Sequence, residues 1–249
     1  MAIVIFLFGL IVGSFLNCVI YRLKTNKSFL KGRSYCPNCK HQLQWPDLIP
    51  VLSFFLLKGK CRYCQKKISW QYPLVEIATG LLFLAIFNFS APGGPASGWL
   101  FSIIPFLIVI FVYDLKHYLI PDKVIYPAIA ITFVYDVLMS DILGMSDILI
   151  SAFGAAGFFL AIVLISRGRW MGIGDIKLAF LMGLVLGFPK ILVALFLAFM
   201  AGAIMGMILV FLGKKTLKSE VPFGPFLVSG TFIALFWGEK LINWYFSLL

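Results

Sequence analysis

Two groups of side chains in this sequence have the types and spacing for chemistry. The first is a pair of aspartates, each at the edge of a long apolar run. Asp114 stands in Tyr113-Asp114-Leu115-Lys116-His117-Tyr118-Leu119-Ile120-Pro121-Asp122, and Asp175 in Gly172-Ile173-Gly174-Asp175-Ile176-Lys177. A carboxylate at the margin of a hydrophobic segment is unfavourable by about 2.5–3.5 kcal/mol on insertion scales, so two of them ask for a reason. Brought together in a partly dehydrated site they cannot both ionise cheaply; one keeps its proton and the other stays charged. The protonated member can polarise a carbonyl while the charged one activates water. That is peptide hydrolysis without a metal or a nucleophilic side chain. Gly172 and Gly174 leave room for a backbone, such as an extended substrate, to come close. The pattern alone also admits aspartates that sit in interfacial water, paired with Lys116 or Lys177. Asp122, directly after Pro121, reads more readily as a cap on the next helix than as a catalytic group.

The second group is Cys36-Pro37-Asn38-Cys39 and, twenty-one residues later, Cys61-Arg62-Tyr63-Cys64. Each pair suits a tight knuckle that aims two thiolates at one point, and two knuckles complete the tetrahedral four-sulfur arrangement of structural zinc. Lys40, Lys60 and Arg62 favour thiolate over thiol. Redox pairs or disulfides are the alternative, disfavoured if the segment faces a reducing cytoplasm. Four cysteines suffice as ligands, so His41 is read as an exposed side chain. A closed four-cysteine site has no open position for a substrate; the metal is expected to hold a small domain together.

What must position these groups is a membrane protein. The chain has 249 residues, 61% hydrophobic and 12% charged, with mean hydropathy +1.01; soluble domains are nearer 45–50% apolar and about 25% charged. Residues 22–73 form the one long polar segment, with eleven of the twenty-one Lys and Arg. Its paired cysteines together with Trp45, Phe54, Phe55, Trp70 and Tyr72 mark a folded domain rather than a linker. Around it, apolar runs at 2–21, 74–90, 98–115, 124–140, 147–166, 176–188, 190–212 and 223–238 predict eight transmembrane helices, at roughly 20 residues each. No basic residue precedes the first run and Arg22 and Lys24 follow it, so it is read as a retained helix rather than a cleaved signal.

Threading the chain with its N-terminus outside puts segments 22–73, 114–123, 167–177 and 213–222 inside. Nineteen of the twenty-one Lys and Arg then lie on that side, leaving Lys190 and Lys240 outside, as the positive-inside rule requires. The loop 136–147, placed outside, carries Asp136, Asp141 and Asp147 and no basic residue. The net charge of +11 is explained by this asymmetry and does not call for nucleic acid. Asp114 and Asp175 fall at the inner ends of their spans, at matching depth. Gly183/Gly187 and Gly202/Gly206 have the spacing that permits close helix contact.

Several segments, taken in order, resemble the type IV prepilin leader peptidases, membrane aspartyl proteases with a Gly-x-Gly-Asp motif. Residues Gly13 to Leu23 resemble the family's GSFLNVVIYRLP segment, with Cys18 for valine and Lys24 for proline. Residues 34–39, 45–53, 61–64 and 68–76 are similar to its cytoplasmic domain in order and spacing. Asp114 with Ile120-Pro121-Asp122 resembles the first catalytic motif, Gly172 to Lys177 the second, and Val221 to Phe226 the late PFGPF segment. The resemblance implies removal of a short basic leader from prepilins or pseudopilins, after a glycine, at the cytoplasmic membrane face. It also implies, for forms with the cysteine domain, methylation of the new N-terminal residue with S-adenosylmethionine. Asp114 and Asp175 carry over as the catalytic pair, with Gly172, Gly174 and Asp122 in support, and Cys36, Cys39, Cys61 and Cys64 as zinc ligands. For the methyl donor the candidates are Asn17, Arg22, Asp47 and Glu76, polar groups beside the first two spans; helix-end or loop-packing roles are the alternative for each. No glycine-rich dinucleotide-type fingerprint is present.

The expectation is therefore an all-α polytopic membrane protein of about eight transmembrane helices with a small cytoplasmic zinc-binding domain. Residues 1–23 form the first helix, 24–73 the zinc domain associated with methyl transfer, and 74–249 the aspartyl peptidase domain. Its expected setting is the bacterial inner membrane, serving a type IV pilus or type II secretion system, with prepilins or pseudopilins and the lipid bilayer as partners. Nothing in the sequence assigns an oligomeric state. The rival from another class is an ion-coupled transporter, which would use intramembrane carboxylates as proton relays. Transporters tend to hold such groups near the midplane within inverted repeats, and no repeat is evident here. A zinc-knuckle membrane scaffold without activity is a third reading.

Overall fold

Each apolar run folds as a helix. The structure, a computed structural model, describes residues 1–25, 32–89, 95–214 and 221–248. Lys27, Lys31, Lys215 and Lys218, counted above among the inside charges, lie outside the described residues. The helices are α1 (Ala2–Lys24), the short α2 (Leu52–Leu56), α3 (Gln71–Phe89), α4 (Pro95–His117), α5 (Asp122–Met139), α6 (Ile142–Ser166), α7 (Ile173–Leu186), α8 (Lys190–Phe211) and α9 (Gly224–Phe246). Among the described residues no strand forms beyond two isolated bridges. All-α is thus correct.

The count of eight spans is not confirmed. Among the described residues, six helices are long and apolar enough to cross a membrane: α1, α3, α4 from Gly98 onward, α6, α8 and α9. Helix α5 carries Asp122, Lys123 and Asp136 within its 18 residues. Helix α7 has 14 residues, about 21 Å at 1.5 Å per residue, against hydrocarbon about 30 Å thick. Asp136, read as a loop residue, lies inside α5; it is buried, with one carboxylate oxygen lacking a hydrogen-bond partner among the described residues. The loop itself shrinks to Ser140 and Asp141, and Asp141 caps α6 by accepting from the Gly144 N–H at 2.9 Å.

The chain divides into two compact units, Met1–Val109 and Ile110–Leu249. In the first, α1 packs against α3. Gly9 and Gly13 make this possible: a Cβ at Gly9 would stand 2.7 Å from the Gly80 Cα, and one at Gly13 2.6 Å from the Glu76 Cα. The spacing of these two glycines went unused above, although both are packed. Of the four glycines singled out there, Gly183 meets the Ala152 backbone of α6 and Gly202 meets Phe223, but Gly187 sits in the turn after α7 at φ +64° and Gly206 has open space.

In the second unit α7 is the central element. It contacts α5, α6, α8 and α9, and Leu178, Ala179, Leu181 and Met182 are fully buried. Two cross-links tie the helix ends on one side together. Lys177 of α7 is 2.6 Å from Asp122 at the start of α5, and the N–H of Gly224, the first residue of α9, reaches back to Asp114 near the end of α4. On the other side Lys190 of α8 pairs with Glu239 of α9 at 2.7 Å.

Candidate active site and metal centre

Both aspartates lie at the cross-linked end of the second unit. Asp114 occupies the last turns of α4 and is 5% exposed; Asp175 occupies the first turn of α7 and is 9% exposed. The two carboxylates are within electrostatic reach of each other, so helix packing brings together groups 61 residues apart in sequence. Each is held by a glycine N–H. The Gly224 N–H donates to Asp114 Oδ2 at 3.0 Å, and the Gly172 N–H donates to Asp175 Oδ2 at 3.1 Å. Both glycines lie at helix N-termini, where unpaired N–H groups and the helix dipole favour a carboxylate.

The glycines do different things. At Gly224 a Cβ would stand 2.6 Å from Asp114 Oδ2, so any side chain there would displace the carboxylate. At Gly174 the space is filled by Ile120, whose Cβ lies 3.1 Å from where a Cβ would be; this glycine seats the Ile120-Pro121-Asp122 stretch rather than a substrate. At Gly172 the surroundings stay open, the nearest atom being Asp175 Oδ2 at 3.8 Å. Asp122 is the first residue of α5, and no side-chain cap is made there; its carboxylate pairs with Lys177 instead. Lys177 also lies over the Tyr126 ring, 4.8 Å from its centroid. Gly224 was not singled out as a site residue above. The family-like PFGPF segment was the only signal for it, since its contribution is a bare backbone N–H.

In the first unit, the sulfurs of Cys36, Cys39, Cys61 and Cys64 all lie within 4.8 Å of one another. The two knuckles are copies of one turn. Cys36 N–H donates to His41 O and Cys61 N–H to Lys66 O, both at 2.9 Å. Lys40 and Gln65, each just after the second cysteine of its pair, have φ near +60°. The Cys36–Cys64 sulfur separation of 3.9 Å fits four sulfurs on one tetrahedral ion, for which bonds of about 2.3 Å give about 3.8 Å between sulfurs. This cluster can hold a metal ion. Burial works against the Cys36 thiolate, but N–H groups of Cys39 and Asn38 and neighbouring thiols outweigh it and lower that thiol to about 7. For Cys64 the Lys66 N–H favours the thiolate, yet burial and the three nearby thiols outweigh it and push the group up to about 11. His41 is exposed and stacks on Tyr63, ring centroids 3.7 Å apart.

The four residues considered for a methyl donor direct their polar atoms to the protein itself. Asn17 donates to the Tyr72 carbonyl at 3.0 Å and accepts from Gln71 Nε2. Arg22 donates to the carbonyls of Gly32 and Arg33. Asp47 accepts from Arg62 Nε at 2.8 Å, Tyr63 OH at 3.0 Å and the Gln44 N–H at 3.2 Å. Glu76 accepts from the Val51 N–H at 2.7 Å and from Ser14. As they stand, these residues form no open set of donors and acceptors.

Residues 7–89 match the model of the bacterial peptidase A24 N-terminal domain, and residues 101–207 match that of the type IV leader peptidase family. The chain is 34% identical to the prepilin leader peptidase/N-methyltransferase of Bacillus subtilis (strain 168), covering 98% of each chain. It is 32% identical to the protein of that name from Aeromonas hydrophila, over 98% of this chain and 93% of the relative. The Legionella pneumophila protein of the same name is 31% identical over 98% and 94%. No solved structure matches. With both halves matched and full-length relatives above 30% identity, the chain belongs to the type IV leader peptidase family.

Proposed function

We propose that this protein removes the leader peptide of type IV prepilins or pseudopilins and methylates the new N-terminus, as the names of its relatives state for them. The observation that carries the peptidase reading is the pair Asp114 and Asp175, buried, mutually interacting and each held by a glycine N–H. In the mechanism, the ionised aspartate takes a proton from water as its oxygen attacks the scissile carbonyl carbon. The protonated partner hydrogen-bonds the carbonyl oxygen as it gains charge. Collapse of the tetrahedral intermediate breaks the C–N bond, and the leaving amine receives a proton from the carboxyl pair. Gly172, with open space beside Asp175, borders the room for the substrate backbone.

The four cysteines are the ligands of a structural zinc ion in this reading, and S-adenosylmethionine is the methyl donor. When bound, that donor supplies an electrophilic methyl group. Asn17, Arg22, Asp47 and Glu76 act first as the frame of the cysteine domain, and no transfer step is derived from them. The setting is the inner membrane, multi-pass, with the N-terminus outside and both the cysteine domain and the aspartates at the cytoplasmic face. The transporter reading is not supported: the comparisons lead to a peptidase family, and the aspartates lie at one end of their helices.

The test is leader cleavage in membranes by Asp114→Ala and Asp175→Ala. Each is expected to lose roughly 10³-fold or more in rate. Cleavage at the native rate by Asp175→Ala would sink the dyad, and an inactive scaffold would show no cleavage even before substitution. Transfer of a radiolabelled methyl group to the processed pilin separates the bifunctional enzyme from a peptidase alone.

A further inference from the structure

The cysteine domain exposes an apolar stripe that its chemistry does not use. Leu52, Phe55 and Leu56 stand at the i, i+3 and i+4 positions of α2, one face of the helix. They are 60%, 55% and 79% exposed. A polar domain in water would not keep such a face bare without a use for it.

The position of the stripe along the chain says what covers it. Trp70 immediately precedes α3, one of the six helices long and apolar enough to cross a membrane, so it lies at the level of the lipid headgroups, where tryptophan is enriched. Its ring is 5.0 Å from that of Phe54 and 6.3 Å from that of Phe55. The contact fixes α2 at the same level. Trp70 is itself 61% exposed and Leu74, in the first turn of α3, 60%, so the apolar surface of the span continues onto α2.

Charge identifies the partner. Lys58, Lys60, Lys66 and Lys67 are all exposed, and an antiparallel bridge sets Lys60 beside Lys67. No acidic residue occurs between Asp47 and Glu76. Apolar side chains followed by exposed lysines in the same short domain at the end of a span match an anionic lipid surface, where each nearby Lys contributes attraction and the apolar part enters the headgroup boundary.

We propose that the stripe Leu52-Phe55-Leu56, with Trp70 and the exposed lysines of the same domain, is an interfacial anchor that seats the cysteine domain on anionic lipid headgroups. It rests on the reading that α1 and α3 cross the bilayer, and goes beyond the peptidase reading. The anchor leaves the domain held at two places, by its covalent ends and by this turn.

Hydrogen exchange of the full-length protein in nanodiscs tests it, comparing phosphatidylcholine alone with phosphatidylcholine plus phosphatidylglycerol. Both leaflets of a disc are alike, so the result does not depend on which side the domain faces. Residues 52–58 are expected to exchange roughly tenfold more slowly in the anionic discs. The difference should vanish in Leu52→Ser/Phe55→Ser/Leu56→Ser, whose changed side chains are exposed, and shrink in Lys58→Gln/Lys66→Gln/Lys67→Gln. Slow exchange along α3 in both discs checks the spanning reading separately. Equal exchange of residues 52–58 in the two discs, fast or slow, overturns the proposal; slow exchange in both would mean that whatever covers the stripe does not depend on anionic headgroups.

Discussion

The two units assemble their reactive groups in opposite ways. In the first, four thiols meet because two tight turns each deliver a pair from residues three apart, and the turns repeat the same hydrogen bonds and the same left-handed residue after the second cysteine. In the second, Asp114 and Asp175 meet only because α4, α7 and α9 end at one place, and the group that orients Asp114 comes from 110 residues away. A locally built site of this kind would depend on an ion and on protons. A site built by packing depends on helix ends staying where they are.

The contrast can be broken most forcefully by removing the metal. Chelation, or Cys36→Ser, is expected to raise hydrogen exchange across residues 32–70 by about 10³-fold, since a small metal domain takes most of its folding free energy from the ion. Exchange along α6 and α7 should not change. If both units loosen together, the division between them is wrong.

Protons probe the same site. The Cys64 thiol, pushed up to about 11, must lose its proton to bind metal across the whole neutral range, so affinity rises with pH by about tenfold per unit from this group. Below about 7, where Cys36 also takes up a proton, that proton competes as well and adds up to a further tenfold per unit to the slope. Zinc competition titrations between pH 6 and 8 give this slope directly. A flat profile would mean that the thiols are already ionised before the ion arrives.

The packed site is tested at Gly224. Gly224→Ala puts a methyl group where Asp114 Oδ2 now lies. Misplacing a catalytic group by about 1 Å can cost about 10²-fold, so leader cleavage should fall by that order in kcat. Metal content and exchange across the cysteine domain should stay as they were. The smallest effect is expected from Lys177→Met. Its partner Asp122 has a side chain 61% exposed, and pairs of that kind contribute about 0–1 kcal/mol. Cleavage should drop a fewfold at most, with greater sensitivity in low salt than in high; a loss matching that of Asp175→Ala would make Lys177 part of the catalytic machinery.

How much could be read from the sequence follows the same contrast. The cysteine cluster was fully legible, because its geometry is encoded within each Cys-x-x-Cys turn. The aspartate pair was legible through depth: basic residues gathered on one side put both carboxylates at the same ends of their helices. What escaped was whatever rests on contacts between distant segments. Gly224 contributes a backbone N–H, which no residue type advertises. Asp122 and Lys177 were each named, yet their opposite charges at equal depth were not joined. Asp47 and Glu76 looked available because their donors, Arg62, Tyr63 and the Val51 N–H, come from other turns of the domain. Gly9 and Gly13 carried a visible spacing, but only the partner surface on α3 shows that both are packed. The eight-span count stays unconfirmed at α7, because hydrophobicity registers apolar character and not whether a helix is long enough to cross.

That shortness bears on how the protein is made. Helix α7, only 14 residues long and buried on most of its faces, is a poor candidate for entering the bilayer by itself. Its natural companion is α6, a 25-residue span against whose Ala152 backbone Gly183 lies. The two would enter as a hairpin. A chain arrested before α6 and α7 pair would leave Asp175 unburied and without Asp114 beside it, so the ability to cut peptides would be withheld until the membrane domain is nearly complete.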